Sequence, residues 1–418
     1  MLLAGSTFCC EVPDGWSVAR EPGCVIGTAP AALTGFTPNV VLRESQVEER
    51  PDALAAISQA NLRGLQNGIP GTLVLQIEAL QQHGAEHRRV CMLSPARPEE
   101  VHGNTISVLS IQDLVVADGV VAELTLSVPL FDFRPWDENH NILETLRLLP
   151  PEERAKPPTT SDVPEPTLDV WASSRAGAPR EDLSVVALPE LVLPAEPLTV
   201  SSATAATIVK GASRGLFPKV KGEARDELAE AGLVDRKGNL VGDGFWYGSH
   251  FYQGLPWVLH TTAPANTDFR FWMTDSTTVF LSPHPGLSGK YLLGWTTTYD
   301  FFRVMLSWVG HRPSWPLEVN LSLAMRQVQV KVEDGIVPST GSPDEAEFCA
   351  QRWSAWALDC LAVDRSVTWF HTASRGDALA FAAPPPAKRD QLILEQDPLD
   401  PLWAVLIQGI VSAQEEQL

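Results

Sequence analysis

The sequence predicts an α+β fold of two domains, each an antiparallel sheet packed against helices, joined by a proline-rich linker. Three observations carry that prediction. Runs of alternating apolar residues are bounded by turn residues and interspersed with stretches of helical period. Prolines crowd the stretch from residue 150 to residue 200, among them Pro150, Pro151, Pro157, Pro158, Pro164 and Pro166. The 418 residues are enough for two or three domains with sizeable cores.

In the first domain, residues 1–150, strands are expected at residues 24–29 and 38–44. A helix opens at Pro51-Asp52 and runs to about Asn67, with Leu54, Ile57 and Leu65 on its apolar side. Strands follow at residues 72–80, 88–93, 104–116 and 120–130; the last two flank Asp118-Gly119, the composition of a two-residue hairpin turn. A closing helix over 136–149 turns Ile142, Leu143, Leu146 and Leu149 inward. Residues 151–200 read as an acidic linker, because proline donates no ladder hydrogen bond and biases its predecessor away from helix. Within it, Leu183–Leu193 is apolar enough to dock on a domain.

In the second domain, residues 201–383, Ser201 caps a helix to about Ala212, and a helix over 223–231 stops at Gly232. Strands are expected at 256–263, 268–274, 277–282 and 290–296, followed by a helix from Thr298 to Val309. Two strands within 318–333, a helix over 343–361, and strands at 365–371 and 377–382 complete it. Residues 384–418, beginning at Pro384-Pro385-Pro386, read as a helical extension with a terminal helix over 398–413.

Composition narrows the function classes. With 31 Lys+Arg against 51 Asp+Glu, the chain carries a net charge of -20 and would repel phosphates, so nucleic acid is not an expected partner. Residues 1–150 alone hold 18 acidic and 9 basic side chains, every basic one an arginine. No run reaches about 18 uninterrupted apolar residues, the length a membrane span needs. The opening MLLAGSTFCC has Ser6 where a lipoprotein signal has its cysteine, so a cytoplasmic chain is expected. Six cysteines without a CxxC read as buried free thiols rather than zinc ligands; a Cys10–Cys24 disulfide would require an oxidising compartment.

Two resemblances follow from residues in order. Phe8–Trp16 (FCCEVPDGW), Pro38-Asn39-Val40-Val41, the helix after Asp52 and the Asp118-Gly119 hairpin leading to a final helix resemble the PsbP-like α/β fold, shared with DcrB and the mycobacterial LpqN and LpqT proteins. That resemblance covers about residues 6–150 and implies a non-catalytic binding fold. Some members of that group are envelope proteins, and others are cytosolic chaperones of secreted effectors. Leu228–Leu240, with the strand pair at Phe269–Asp275 and Val279–Pro283, resembles half of an EspG-type chaperone of type VII secretion. The joint implication is a cytosolic, non-enzymatic chaperone or adaptor for a small helical secreted client; the alternative is a small-molecule or lipid-binding envelope protein of the LpqN type.

The candidate partner-binding residues are Phe245, Trp246, Tyr247, Phe251, Tyr252 and Trp257, in an aromatic run read as a loop containing Gly248 and Gly254. Aromatic side chains supply large contact area at low entropic cost, whether to a client or to a core between helices and sheet. Trp308-Val309-Gly310 matches a turn signature of type VII substrates, but a helix end capped by Gly310 accounts for it. No catalytic motif of the GxSxG, HExxH, P-loop or dinucleotide kind occurs, and no cofactor, metal or catalytic residue is expected. His83 and His87 are four apart but separated by Gly84, which favours a loop; Cys360 reads as a buried thiol. His371 would need acid or base partners that sequence does not place.

Overall fold

The structure, a computed structural model, describes residues 1–30, 36–96, 105–130, 138–186, 196–214, 219–261, 267–315, 317, 319–335, 341–363, 365–372, 375–382, 391–396 and 402–417. The fold is α+β and falls into two units. Unit 1 comprises Met1–Val192 and Arg303–Pro316; unit 2 comprises Leu193–Phe302 and Leu317–Leu418.

Unit 1 contains β1 (Leu2–Ala4), β2 (Phe8–Glu11), β3 (Ser17–Glu21), β4 (Cys24–Thr28), β5 (Asn39–Gln46), α1 (Ala53–Gly68), β6 (Leu73–Gln82), β7 (Ala85–Pro95), β8 (Ser107–Ala117), β9 (Val120–Pro129), α2 (Glu138–Glu144), β10 (Arg147–Leu148) and α3 (Val170–Ala176). Seven strands form an antiparallel sheet in the order β3-β4-β5-β9-β8-β7-β6, and β1-β2-β10 form a smaller one. The β8–β9 hairpin turns at Asp118 and Gly119, both at positive φ as a tight hairpin requires. A bulge between Val74 and Gln76 changes the parity of β6. Val74 and Ile77 therefore both reach the α1 side, where they pack with Leu62, Val90 and Met92.

The small sheet is pinned by one carboxylate. Glu44 of β5 accepts hydrogen bonds from the backbone amides of Thr7 (3.1 Å) and Phe8 (2.6 Å), and from that of Ser6. Ser6 and Thr7 precede the first residue of β2, so the carboxylate supplies acceptors where the ladder begins.

Residues 155–186 are not a free linker. Gln46 exchanges backbone hydrogen bonds with Thr159 (2.8 Å) and Ser161 (2.9 Å), and Arg50 donates to the carbonyl of Pro164 at 2.6 Å. Gln59 of α1 pairs with the backbone of Thr167 through both ends of its amide, at 3.0 and 2.9 Å. Extended proline-rich chain carries exposed carbonyls, and arginine and glutamine side chains satisfy them here. Of Leu183–Leu193, the stretch expected to dock, Leu183 and Val186 are buried with Ala172 in the α1-side core, and residues 187–193 lie outside the described residues.

The same core receives Trp315. Its indole N–H donates to the Glu181 carbonyl at 2.9 Å, and its ring lies 5.3 Å from the guanidinium carbons of both Arg88 and Arg180. Arg88 is itself buried against Glu181 at 3.2 Å and donates to the Pro179 carbonyl at 2.8 Å. His311 donates to the Leu75 carbonyl at 2.9 Å, which ties residues 303–315 to the bulge of β6.

Unit 2 contains β11 (Leu198–Ser201), α4 (Ser202–Ala212), α5 (Gly222–Glu230), α6 (Asp243–Gln253), β12 (Leu255–Thr261), β13 (Thr267–Met273), β14 (Thr277–Pro283), β15 (Lys290–Thr297), the first residues of α7 (Thr298–Val309), β16 (Val319–Ala324), α8 (Met325–Asp334), α9 (Pro343–Ala350), β17 (Ser354–Cys360), β18 (Arg365–Thr372), β19 (Gly376–Ala382), β20 (Gln391–Gln396) and α10 (Leu402–Gln417). Ten strands run antiparallel in the order β11-β15-β14-β13-β12-β17-β18-β19-β20-β16. α4, α5 and α6 share a core with Trp272, Val279, Leu281 and Leu293 on one face. Phe269 and Phe271 pack on Phe301 of α7 on the other.

Several expectations are corrected. The alternating valines of 325–334 read as a strand but form α8, because Val328 and Lys331, three apart, are its buried positions. Lys331 tolerates burial through hydrogen bonds to the carbonyls of Gly335 and Cys349 and contact with the Trp353 ring. The helix expected over 343–361 ends at Ala350; residues 354–360 form β17, with Leu358 and Cys360 buried at period two. The expected helical extension contributes β20, hydrogen-bonded between β19 and β16. The closing helix of unit 1 stops at Glu144, and Arg147–Leu148 pair with β2 instead.

Replacing Glu44 with alanine leaves the amides of residues 6–8 without their acceptor. We expect a loss of about 1–3 kcal/mol in chemical denaturation, and a smaller loss for Glu44→Gln, which keeps one carbonyl oxygen.

Candidate partner-binding site

The aromatic run expected as a loop is helix α6 for most of its length. It starts after Gly242 at φ 50, and Gly244 allows close seating: a Cβ there would lie 1.8 Å from the Leu233 carbonyl oxygen. Helix geometry then sorts the side chains by face. Phe251 is buried with its ring 4.6 Å from that of Trp272 in an edge-on contact. Trp246 packs 5.7 Å from Trp295 and 4.1 Å from the His250 ring, and Tyr247 lies 5.0 Å from Trp246. Burial, aided by Asp243, pushes the Tyr247 phenol above its ordinary range.

The opposite side of α6 faces solvent. Phe245 is 64% exposed and Tyr252 70% exposed, with exposed Ser249 between them. Positions i, i+4 and i+7 form one stripe on a helix, so two large rings flank a small hydroxyl. The sixth candidate, Trp257, is not part of this surface. It lies in β12, buried, with its ring stacked 6.1 Å from Phe271, whereas its neighbour on the strand, Pro256, pairs with Trp272. Strand alternation therefore sends it to the far side of the sheet. Of the six residues, the structure joins Phe245 and Tyr252 as a surface, uses Trp246, Tyr247 and Phe251 to anchor it, and places Trp257 in a separate core. Ser249, which completes the stripe, is missed by a search for aromatic residues alone and is signalled only by helical spacing.

The residues weighed for catalysis are placed as follows. His371 finds a partner: its Nδ1 lies 2.8 Å from Asp377 Oδ1 on the next strand. Cys360 is buried, and Asp359 faces the other way, 3.5 Å from His260 Nδ1. His83 occupies the β6–β7 turn at φ 48, while His87 is buried in β7, where desolvation pushes its imidazole below the ordinary range. All six cysteines are free thiols; burial pushes Cys10 up to about 12 and raises Cys9 and Cys91. Among the described residues no group of three or more His, Cys, Asp or Glu is placed to hold a metal ion. Among them, too, no helix is long and apolar enough to cross a membrane. The helix end at Val309 is followed by Gly310 at φ 71, the capping role expected for it.

No protein-family model matches the sequence, and no curated protein matches it. Solved structures similar to this chain include the cyanobacterial PsbP of Synechocystis sp. PCC 6803, at 14% identity over 34% of this chain and 86% of that one, with a TM-score of 0.26. LpqN of Mycobacterium tuberculosis, described as involved in cell envelope biogenesis, shares 16% identity over 34% of this chain and 83% of its own, with a TM-score of 0.26. The Ran-binding protein Mog1p of Saccharomyces cerevisiae shares 12% identity over 35% and 93%, with a TM-score of 0.26. Each of these likenesses covers about a third of this chain. The resemblance to EspG-type chaperones gains no support from them.

Proposed function

We propose that the chain is a non-enzymatic, cytoplasmic binding protein that holds a helical segment of a protein client against α6. One observation carries this reading: Phe245 and Tyr252 are exposed on a helix whose other aromatic residues are packed into a core. An exposed phenylalanine on an otherwise well-packed helix retains unburied apolar area, worth about 1.5–3 kcal/mol when a partner covers it. The i, i+4, i+7 spacing of Phe245, Ser249 and Tyr252 suits a helical partner, whose own ridge of side chains enters between the two rings. A secreted client kept from aggregating before export is the finer form of this proposal, and it rests on the sequence resemblances alone.

A photo-crosslinking residue in place of Tyr252, in the full chain in its own cells, tests the reading. We expect one dominant crosslinked polypeptide of high helical content, lost in the Phe245→Ser variant. That variant should keep its stability within about 0.5 kcal/mol, as an exposed substitution does. Crosslinks spread over abundant proteins, or unaffected by Phe245→Ser, would contradict the proposal.

A further inference from the structure

On the face of the unit 1 sheet opposite α1, strands β6, β7 and β8 carry a row of charged side chains. Glu78, Arg89 and Asp113 stand directly opposite one another in the register, and Glu144 joins them from the end of α2. Arg89 is buried and donates to both oxygens of Asp113, from Nε at 2.7 Å and Nη2 at 2.8 Å. Its remaining arm, Nη1, donates to Glu144 at 2.7 Å. One guanidinium thus serves two carboxylates while a third, Glu78, faces it from the neighbouring strand. Among the described residues the Glu78 carboxylate makes no hydrogen bond or ion pair, although its backbone belongs to the β6–β7 ladder. The sequence signals this row only at Asp113, the one charged residue of β8, since Arg89 follows Glu86, His87 and Arg88 in β7.

The same guanidinium is one of three ties on the last turn of α2. Gln82, the last residue of β6, donates to the Leu143 carbonyl at 3.1 Å, and His83 Nε2 in the β6–β7 turn donates to the Glu144 carbonyl at 3.2 Å. Of the groups bound to Arg89, Glu144 is the one water can reach, its side chain being 50% exposed against 0% for Asp113. A negative charge on Glu78 would compete for Arg89 and repel both other carboxylates. Glu144 is the partner that yields, because only it has solvent to replace the lost bond.

We infer that Glu78 is a proton switch for α2: protonated, it leaves Arg89 free to hold Glu144, and ionised, it draws Arg89 away and loosens the last turn of the helix. The described groups facing it are Arg89, His87 and Cys91 on β7, Asp113 on β8 and Glu144 on α2. Burial pushes the Glu78 carboxyl up to about 7, against the lowering pull of Arg89 and with Asp113 and Glu144 adding to the rise. The folded chain therefore binds a proton that the unfolded chain releases in the ordinary carboxylate range. Stability from this group is present below that range and is lost as the pH rises through about 7.

Hydrogen exchange of the full chain at about pH 6 and about pH 8, corrected for intrinsic rates, tests the inference. We expect protection in residues 142–146 to fall by about tenfold at the higher pH, the factor that one pK unit of coupling supplies. Glu78→Gln, which mimics the protonated side chain, should keep the high protection at both values. Glu144→Ala, at a half-exposed site, removes the acceptor altogether, should show the low protection at both, and reports on the switch even if Glu78→Gln does not fold. Protection in the wild-type chain that does not change with pH, a loss that persists in Glu78→Gln, or full protection in Glu144→Ala would each overturn the inference.

Discussion

The contact of the Trp315 ring with the guanidinium groups of both Arg88 and Arg180, which Glu86 also draws together, is the interaction on which the rest of unit 1 depends. Each guanidinium needs an electron-rich or anionic neighbour when it leaves water, and the indole face supplies one for both. Glu181 closes the arrangement, accepting from the indole with its carbonyl and from Arg88 with its carboxylate. A buried ion pair by itself is weak evidence of stabilisation, since desolvation offsets the attraction. What makes this one structural is its reach: it ties β7, the segment around Pro179–Glu181 and residues 303–315 to one point. The proline-rich stretch is ordered because its carbonyls and its apolar end have partners there and along α1. Unit 1 is therefore completed by chain far from it in sequence, and the contiguous first 150 residues do not hold its whole core.

In unit 2 the governing constraint is a division of labour within a single helix. The tight seat at Gly244 and the packing of Trp246, Tyr247 and Phe251 fix α6 in place. Phe245 and Tyr252 are thereby presented in a set orientation without ordering cost at the moment of contact. A surface of this kind differs from a flexible aromatic loop, which would lose conformational freedom on meeting a partner.

Local pattern was legible where neighbours in the chain decide the structure. Strands β4 to β9 of unit 1, helix α1, the Asp118-Gly119 hairpin and the Ser201 cap are expected from the sequence close to where they lie, whereas β1, β3 and β10 are not. The rest depends on contacts that sequence does not display. Period two in Val328, Val330 and Val332 suggests a strand, and only the remote carbonyl of Cys349 and the ring of Trp353 make a helix with buried Lys331 acceptable. Gly248 and Gly254 suggested a loop, although Gly244 serves a tertiary contact with the Leu233 carbonyl inside a helix. In the candidate site, residue type was visible but not direction, so Trp257 was grouped with side chains from which the sheet separates it. The Arg88–Trp315 contact joins residues so distant that no pattern within either segment announces it.

The most direct test of the central claim is native-state hydrogen exchange of the full chain carrying Trp315→Ala. A buried tryptophan replaced by alanine costs about 3–5 kcal/mol, and here it also leaves Arg88 and Arg180 without the ring they both pack against. The account predicts that β6, β7, α3 and residues 180–186 lose protection together, while β13, β14 and β15 keep theirs. Unchanged protection across β6, β7 and residues 180–186 would contradict it.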